Sequence, residues 1–258
     1  MPRINVNIAY QRMCSDSFDF LSHQDLQPEF YFSGDEVDVI EKDLIVSFRE
    51  EVIERKFLPT VHAPFFDLNV GARDSQICRV SFERLFWAVE TAALLKADLV
   101  VVHPGYGPWI LGHRFDAWIS RAEKYLKKLC EHAASYGIKI AFENIYDSAP
   151  EDLLQLIERV GFNNAGICLD IGHFNVFSRR PLKDWLDILG PRILELHLHD
   201  NDGSADQHLA MGDGKIEYGD LFAWFKSLSS EQKPVLTLEL PHRTHVIKSV
   251  NILRNFLS

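Results

Sequence analysis

Short apolar runs alternate along the chain with longer amphipathic ones. The short runs read as strands: Ile4–Ala9, Glu29–Phe32, Thr60–His62, Leu99–His103, Lys139–Glu143, Gly166–Asp170, Ile193–His199 and Val235–Leu240. The longer stretches carry apolar residues three and four positions apart and predict helices. These are Asp35–Arg55, Ser75–Lys96, Phe115–Tyr136, Glu151–Val160, Pro181–Leu189, Tyr218–Leu228 and Thr244–Phe256. Within Ser75–Lys96 the repeat runs through Val80, Leu85, Val89, Ala92 and Ala93. Within Phe115–Tyr136 it runs through Ile119, Ala122, Leu126, Leu129 and Ala133. Gly137 and Gly161 follow two of these helices, where a glycine commonly closes a helix.

Strands separated by helices pair in parallel, with right-handed crossovers. Eight such units in 258 residues suit a closed barrel better than an open sheet, since such barrels typically take about 250 residues. The expected class is therefore α/β, a single (β/α)8 TIM barrel filling residues 1–258 as one domain. A doubly wound sheet is the alternative, but the glycine-rich phosphate loop expected after its first strand is missing. No linker, repeat or low-complexity tract interrupts the pattern.

Charge narrows the partners. With 37 acidic against 27 basic residues the net charge is −10, which argues against nucleic acid bound through its phosphates. No run approaches the roughly 20 apolar residues of a membrane helix, and Met1–Met13 lacks the apolar core of a signal peptide. The four cysteines, Cys14, Cys78, Cys130 and Cys168, form no CxxC pair. They read as reduced thiols of a cytoplasmic protein.

The chemistry collects at strand ends. His62 ends the third strand, His103 the fourth, Glu143 the fifth and Asp170 the sixth, with His173 three residues on. His197 and His199 lie on the seventh, Asp206 and His208 follow in its loop, and Glu239 ends the eighth. A barrel brings the C-terminal ends of its strands to one mouth, so residues from 62 to 239 converge there. One histidine in such a place is more often a hydrogen-bonded structural residue. A carboxylate after an apolar strand is less ordinary, because buried carboxylates need partners. Six consecutive strand ends bearing such groups point to a metal-centred site, and imidazole with carboxylate suits Zn, Mn, Co or Mg.

The motifs His62-Ala63-Pro64-Phe65, Val102-His103-Pro104-Gly105, Glu143-Asn144, Asp170-Ile171-Gly172-His173, His197-Leu198-His199-Asp200-Asn201 and Asp206-Gln207-His208 resemble the xylose isomerase-like barrel superfamily. That superfamily includes sugar phosphate isomerases and epimerases and endonuclease IV. The resemblance implies a divalent metal held by Glu143, Asp170, His197 and Glu239. By the pattern of the endonuclease, it implies two further ions that also use His62, His103, His173, Asp206 and His208. One to three ions are thus implied.

Two functions follow from the resemblance. One is isomerisation or epimerisation of a sugar or sugar phosphate by proton transfer next to a carbonyl, with Glu143 and Glu239 as the catalytic pair. The alternative is zinc-dependent phosphodiester cleavage of the endonuclease IV type, at abasic sites in DNA. The acidic segment Ser33-Gly34-Asp35-Glu36-Val37-Asp38 stands where the endonuclease carries a polar, Arg-containing loop, and would repel phosphates. The epimerases of the superfamily that place an Arg shortly after the seventh-strand His also differ, since none follows His197 here. Candidate substrate contacts are His199, Arg179, Lys215 and Trp109. Trp109 and Phe177 suggest a homo-oligomer interface.

Overall fold

Eight parallel strands close on themselves in chain order. They are β1 (Ile4–Ala9), β2 (Gln27–Tyr31), β3 (Thr60–His62), β4 (Leu99–Val102), β5 (Lys139–Glu143), β6 (Ala165–Asp170), β7 (Ile193–Leu198) and β8 (Val235–Leu238). β8 pairs back with β1 through Ile4–Leu236, Asn5–Thr237 and Val6–Leu238. The computed structural model describes residues 2–108 and 114–258. Among these, the helices are α1 (Ser15–His23), α2 (Lys42–Arg55), α3 (Ser75–Leu94), α4 (Phe115–Ser135), α5 (Glu151–Val160), α6 (Ile171–Phe177), α7 (Leu182–Leu189), α8 (Gly219–Ser227) and α9 (Arg243–Leu257). No helix of the described residues is long and apolar enough to cross a membrane. All four cysteines are free, and Cys78, Cys130 and Cys168 are buried.

Several local expectations are corrected. The helix expected over Asp35–Arg55 begins only at Lys42. Before it, Glu36 turns back to accept the Ser33 N–H at 2.8 Å and the Ser33 hydroxyl donates to Asp35, so these acidic residues build a turn. α1 was not anticipated, because Phe18 and Leu21 are its only large buried side chains. Nor was α6, whose residues run on from β6 with the apolar look of a strand; it starts because Asp170 caps it, accepting the His173 N–H at 2.6 Å. Val80 lies outside the buried face of α3, and Phe177 is half-buried against the rings of Tyr146 and His173 rather than exposed. The five apolar residues read along α4 are all buried.

Strand alternation sorts side chains into two populations. Outward positions such as Val6, Phe30, Val61, Val100, Phe142, Leu169, Leu196 and Leu238 pack under the helices in the main core. Inward positions on one side of the barrel are apolar or small: Leu99, Val101, Ala141 and Cys168. On the other side the lumen is polar, with Asn5, Glu29, Thr60, Glu195, His197 and Thr237 all wholly buried. TIM barrels ordinarily fill this space with branched apolar side chains. A register shift between β6 and β7 pairs Ile167 with Ile193 and Cys168 with Glu195, leaving Leu194 as the extra residue. From there Glu195, His197 and His199 all face inward.

Trp118 on α4 is wholly buried, and its indole N–H donates to Asn69 Oδ1 at 2.9 Å. Its ring lies where a Cβ on Gly71 would fall, so the two residues are matched in size. Trp118→Ala is expected to cost about 3–5 kcal/mol. In thermal unfolding this lowers Tm by on the order of 10 °C.

Candidate metal centre

The nine residues expected at the mouth form one continuous cluster. Glu143, at the end of β5, is its hub. Its Oε2 meets His62 Nε2 at 3.2 Å and His103 Nε2 at 3.1 Å, and its Oε1 meets His173 Nδ1 at 3.2 Å. His173 Nε2 continues to Asp206 at 3.4 Å, and Asp206 to His208 Nε2 at 2.9 Å. His208 Nδ1 lies 4.0 Å from Glu239, whose other oxygen is 3.3 Å from His197 Nδ1. Asp170 Oδ2 is 3.8 Å from that same nitrogen. His199, two residues beyond His197 and wholly buried, joins them: it stacks on His208 at 3.9 Å and reaches Asp170 Oδ2 at 3.2 Å.

Backbone contacts fix several rings. His62 Nδ1 donates to the Ala63 carbonyl at 2.9 Å, His173 Nδ1 to Asn144 O at 3.0 Å and His208 Nδ1 to Glu239 O at 3.0 Å. A carbonyl only accepts, so Nδ1 carries the proton in each, and in the neutral ring the Nε2 lone pair faces the cluster. His208 holds its place with a left-handed backbone, φ +48°.

The electrostatics are those of a donor set collected around positive charge. Burial works against ionisation of Glu143, yet the imidazoles of His103, His197 and His173 hold its carboxyl well below the usual range. Burial likewise opposes Asp170, where His173 and His199 prevail, and Asp206, where His173 and His208 prevail. Conversely, burial disfavours the imidazolium of His173, but Asp170, Asp206 and Glu143 raise it well above the ordinary histidine value; His208 is raised to about 9 against the same burial, chiefly by Asp206. At His173 and His208 the carboxylates thus draw protons onto the rings, whereas at His103 burial prevails and lowers the pKa. A divalent ion on the same atoms would supply that positive charge and release those protons. Glu143 Oε1, both nitrogens of His197 and His199 Nδ1 are buried with no hydrogen-bond partner among the described residues. Such orphaned donor atoms, in groups whose ligand atoms lie within 4.8 Å of one another, fit a bound cation.

Arg179 and Lys215 are exposed, and neither side chain bonds to the cluster among the described residues. Trp109 falls outside the described residues. Beneath the mouth the structure adds residues that strand-end reasoning passed over: Asn7, Glu29, Thr60, Glu195 and Thr237. Asn7 Nδ2 donates both to Glu29 Oε1 at 2.9 Å and to Glu239 Oε1 at 3.0 Å. Their one visible signal was a charged residue inside a strand, as in Gln27-Pro28-Glu29-Phe30. Cys168 lies in the same lumen, where burial pushes its thiol well up and away from nucleophile chemistry.

The family model described as xylose isomerase-like TIM barrel matches residues 18–256. The chain belongs to this family. An uncharacterised protein of Methanocaldococcus jannaschii is 32% identical over 204 residues, spanning 76% of this chain and 69% of the relative. A solved D-tagatose 3-epimerase-like protein superposes with TM-score 0.85 at 26% identity, over 99% of this chain and 97% of that one. A probable endonuclease 4 of Lysinibacillus sphaericus is 26% identical over 178 residues, 61% of this chain and 58% of the relative. The xylose isomerase-like family thus accommodates, near this sequence, proteins described by two different chemistries.

Proposed function

We propose that the protein is a divalent-metal-dependent isomerase or epimerase of a small sugar or sugar phosphate, moving a proton next to a carbonyl. The observation that carries this reading is the surroundings of His197 Nδ1. Glu239, Glu143 and Asp170 approach this one buried nitrogen at 3.3, 3.7 and 3.8 Å, and it makes no hydrogen bond. One imidazole and three carboxylates suit Mn, Co, Mg or Zn. Such an ion supplies positive charge against the enediolate that develops when the proton leaves. The similarity to the D-tagatose 3-epimerase-like protein points the same way.

The three carboxylates are differently placed. Asp170 is fully engaged, its Oδ1 on the His173 N–H and its Oδ2 on His199 Nε2. It is a holding group rather than a base, and His199 orients it. Glu239 is partly exposed at the mouth, and Asn7 anchors its Oε1, leaving Oε2 toward the opening. Glu143 is almost wholly buried and comes from β5 on the other side of His197. Two carboxylates on either side of one point can withdraw a proton from one face of a substrate carbon and return it to the other. Arg179, Lys215 and Trp109 stand as the candidate contacts for the rest of the substrate.

A second reading rests on the residues this central set leaves over. His62 and His103 converge on Glu143, and His173, Asp206 and His208 form a further group. A site for one ion does not need them, whereas a zinc-dependent phosphodiesterase with three ions does. The relative described as a probable endonuclease 4 belongs on this side. The exposed carboxylate of Asp35 counts against a polyanion, while that of Asp38 is paired with Arg84.

Metal content per chain, by elemental analysis of protein purified without chelators, separates the two. One ion per chain, with deuterium uptake from solvent beside the carbonyl in a panel of ketoses and ketose phosphates, is the expected result. Two or three zinc ions, with cleavage of abasic DNA or small phosphodiesters, transfers the assignment to the hydrolase. His62→Ala and His103→Ala are expected to leave isomerisation largely intact. Loss of one ion with loss of activity in these variants belongs to the hydrolase.

A further inference from the structure

His197 differs from the other fixed rings of the cluster. His62, His173 and His208 turn Nδ1 onto backbone carbonyls and present Nε2. His197 does the reverse: Nδ1 faces the three carboxylates, and Nε2 points down into the lumen. There it meets the carboxylate of Glu29 at 3.4 Å, with Glu195 farther off at 4.0 Å. No backbone carbonyl holds this ring, since neither of its nitrogens has a hydrogen-bond partner among the described residues.

Glu29 is built to hold still. It is wholly buried on β2. Its Oε2 accepts the Thr60 hydroxyl at 2.8 Å, and Thr60 in turn accepts from Asn5 Nδ2 at 3.0 Å. Its Oε1 accepts from Asn7, the residue that also anchors Glu239. Asn5 is fixed in turn by Arg3, whose guanidinium donates to Asn5 Oδ1 at 3.2 Å and pairs with Asp98. A buried carboxylate needs this many donors to stay in the lumen. One lone pair of Oε1 is left toward His197 Nε2, and a shift of about half an ångström closes that gap to ordinary N–H···O length.

We infer that Glu29 is a positioning residue of the metal centre: through Nε2 it fixes the ring of His197 so that Nδ1 is the nitrogen offered to the ion, while Asn7 ties the same carboxylate to Glu239. This rests on the metal-dependent reading above. It extends the centre to β1 and β2, which contribute none of the nine expected ligands. The carboxylate behind a ligand imidazole fixes its tautomer and orientation and raises its basicity.

Asn7 and Thr60 donate to Glu29 and His197 faces it with Nε2, so in Glu29→Gln the new amide has only the Thr60 hydroxyl to accept it and the charge facing His197 Nε2 is lost. Glu29→Leu removes the acceptor altogether. The test is the dissociation constant for Mn²⁺ or Co²⁺, by competition with a chelating dye, in wild type, Glu29→Gln, Glu29→Leu and Glu195→Gln. Nitrogen-15 spectra of labelled histidines are recorded with and without metal. Both Glu29 variants are expected to bind about 10–100-fold more weakly. They are also expected to lose a His197 Nε2–H signal protected from exchange in wild type, while Glu195→Gln retains both. Unchanged affinity and an unchanged Nε2–H signal in the Glu29 variants would overturn the inference. So would equal weakening by Glu195→Gln, which would trace the effect to lumen charge in general. Should wild type bind no divalent ion, the functional reading fails, and the Nε2–H signal alone still decides the role of Glu29. If Glu29→Leu does not fold, the near-isosteric Glu29→Gln carries the same comparison.

Discussion

Glu143→Gln is expected to lower turnover by about 10³-fold or more, the upper range for removing a positioned acid–base group, and to reduce bound metal in the same protein. Glu143 meets four imidazoles: His62 and His103 on one oxygen, His173 and His197 around the other. Glutamine keeps the volume but replaces one oxygen with an N–H donor that faces imidazole nitrogens. The lost charge also removes what holds the surrounding rings near one ion. The fold should survive. Without metal this carboxylate is a buried charge facing imidazoles, which can give up their protons when it is replaced, so no fixed buried charge is left uncompensated. Thermal unfolding of the metal-free variant within a few degrees of wild type, beside the collapse of kcat/KM, is the expected pair of results. Glu239→Gln should lose turnover comparably with a smaller loss of metal, since the contacts of Glu239 among the described residues, with His197, His208 and Asn7, are fewer than those of Glu143. Full activity in Glu143→Gln would remove the proposed centre.

The barrel and its mouth were legible for one reason: both depend on regular alternation. The strand-end histidines and carboxylates are flanked by apolar runs, as in Val100-Val101-Val102-His103 and Ile140-Ala141-Phe142-Glu143, so each announces itself as a polar group where an apolar strand stops. Asn7, Glu29 and Glu195 sit within strands, where a reading aimed at strand ends does not look. Their partners, Glu239 232 residues from Asn7 and Thr60 31 residues from Glu29, become neighbours only after closure. β2 was hardest, being five residues long with a proline in second place. The two unexpected helices failed for opposite reasons. α1 shows too little apolar surface to declare a period, and α6 too much to be told from the strand before it. The depth of His199 was also hidden. Sequence places it two residues beyond His197 on the same face, but only the packing shows it sealed beneath His208.

That packing makes Gly172→Ala the more severe of the small substitutions available. Gly172 lies in the first turn of α6, between Asp170 and His173. A Cβ there would fall inside the ring of His199, on Cε1 and close to both nitrogens. Alanine ordinarily favours a helix by up to about 1 kcal/mol over glycine; here overpacking opposes it with about 1–3 kcal/mol or more. His199 has little room to withdraw, because His208 lies flat against it with centroids 3.9 Å apart and 6° between planes. His208 is itself tied to the Glu239 carbonyl. The push is therefore passed to Asp206, which His208 and His173 share, and to Asp170, which loses His199 Nε2. The variant should unfold several degrees lower and bind its metal more weakly, through the disturbed Asp170. A double variant, Gly172→Ala with His199→Ser, vacates the contested space and should recover stability beyond the sum of the two single changes, the mark of a direct contact. Strict additivity, or a higher Tm for Gly172→Ala alone, would show that His199 yields freely. The stack of His199 on His208 would then not be the rigid support that holds Asp170 in place.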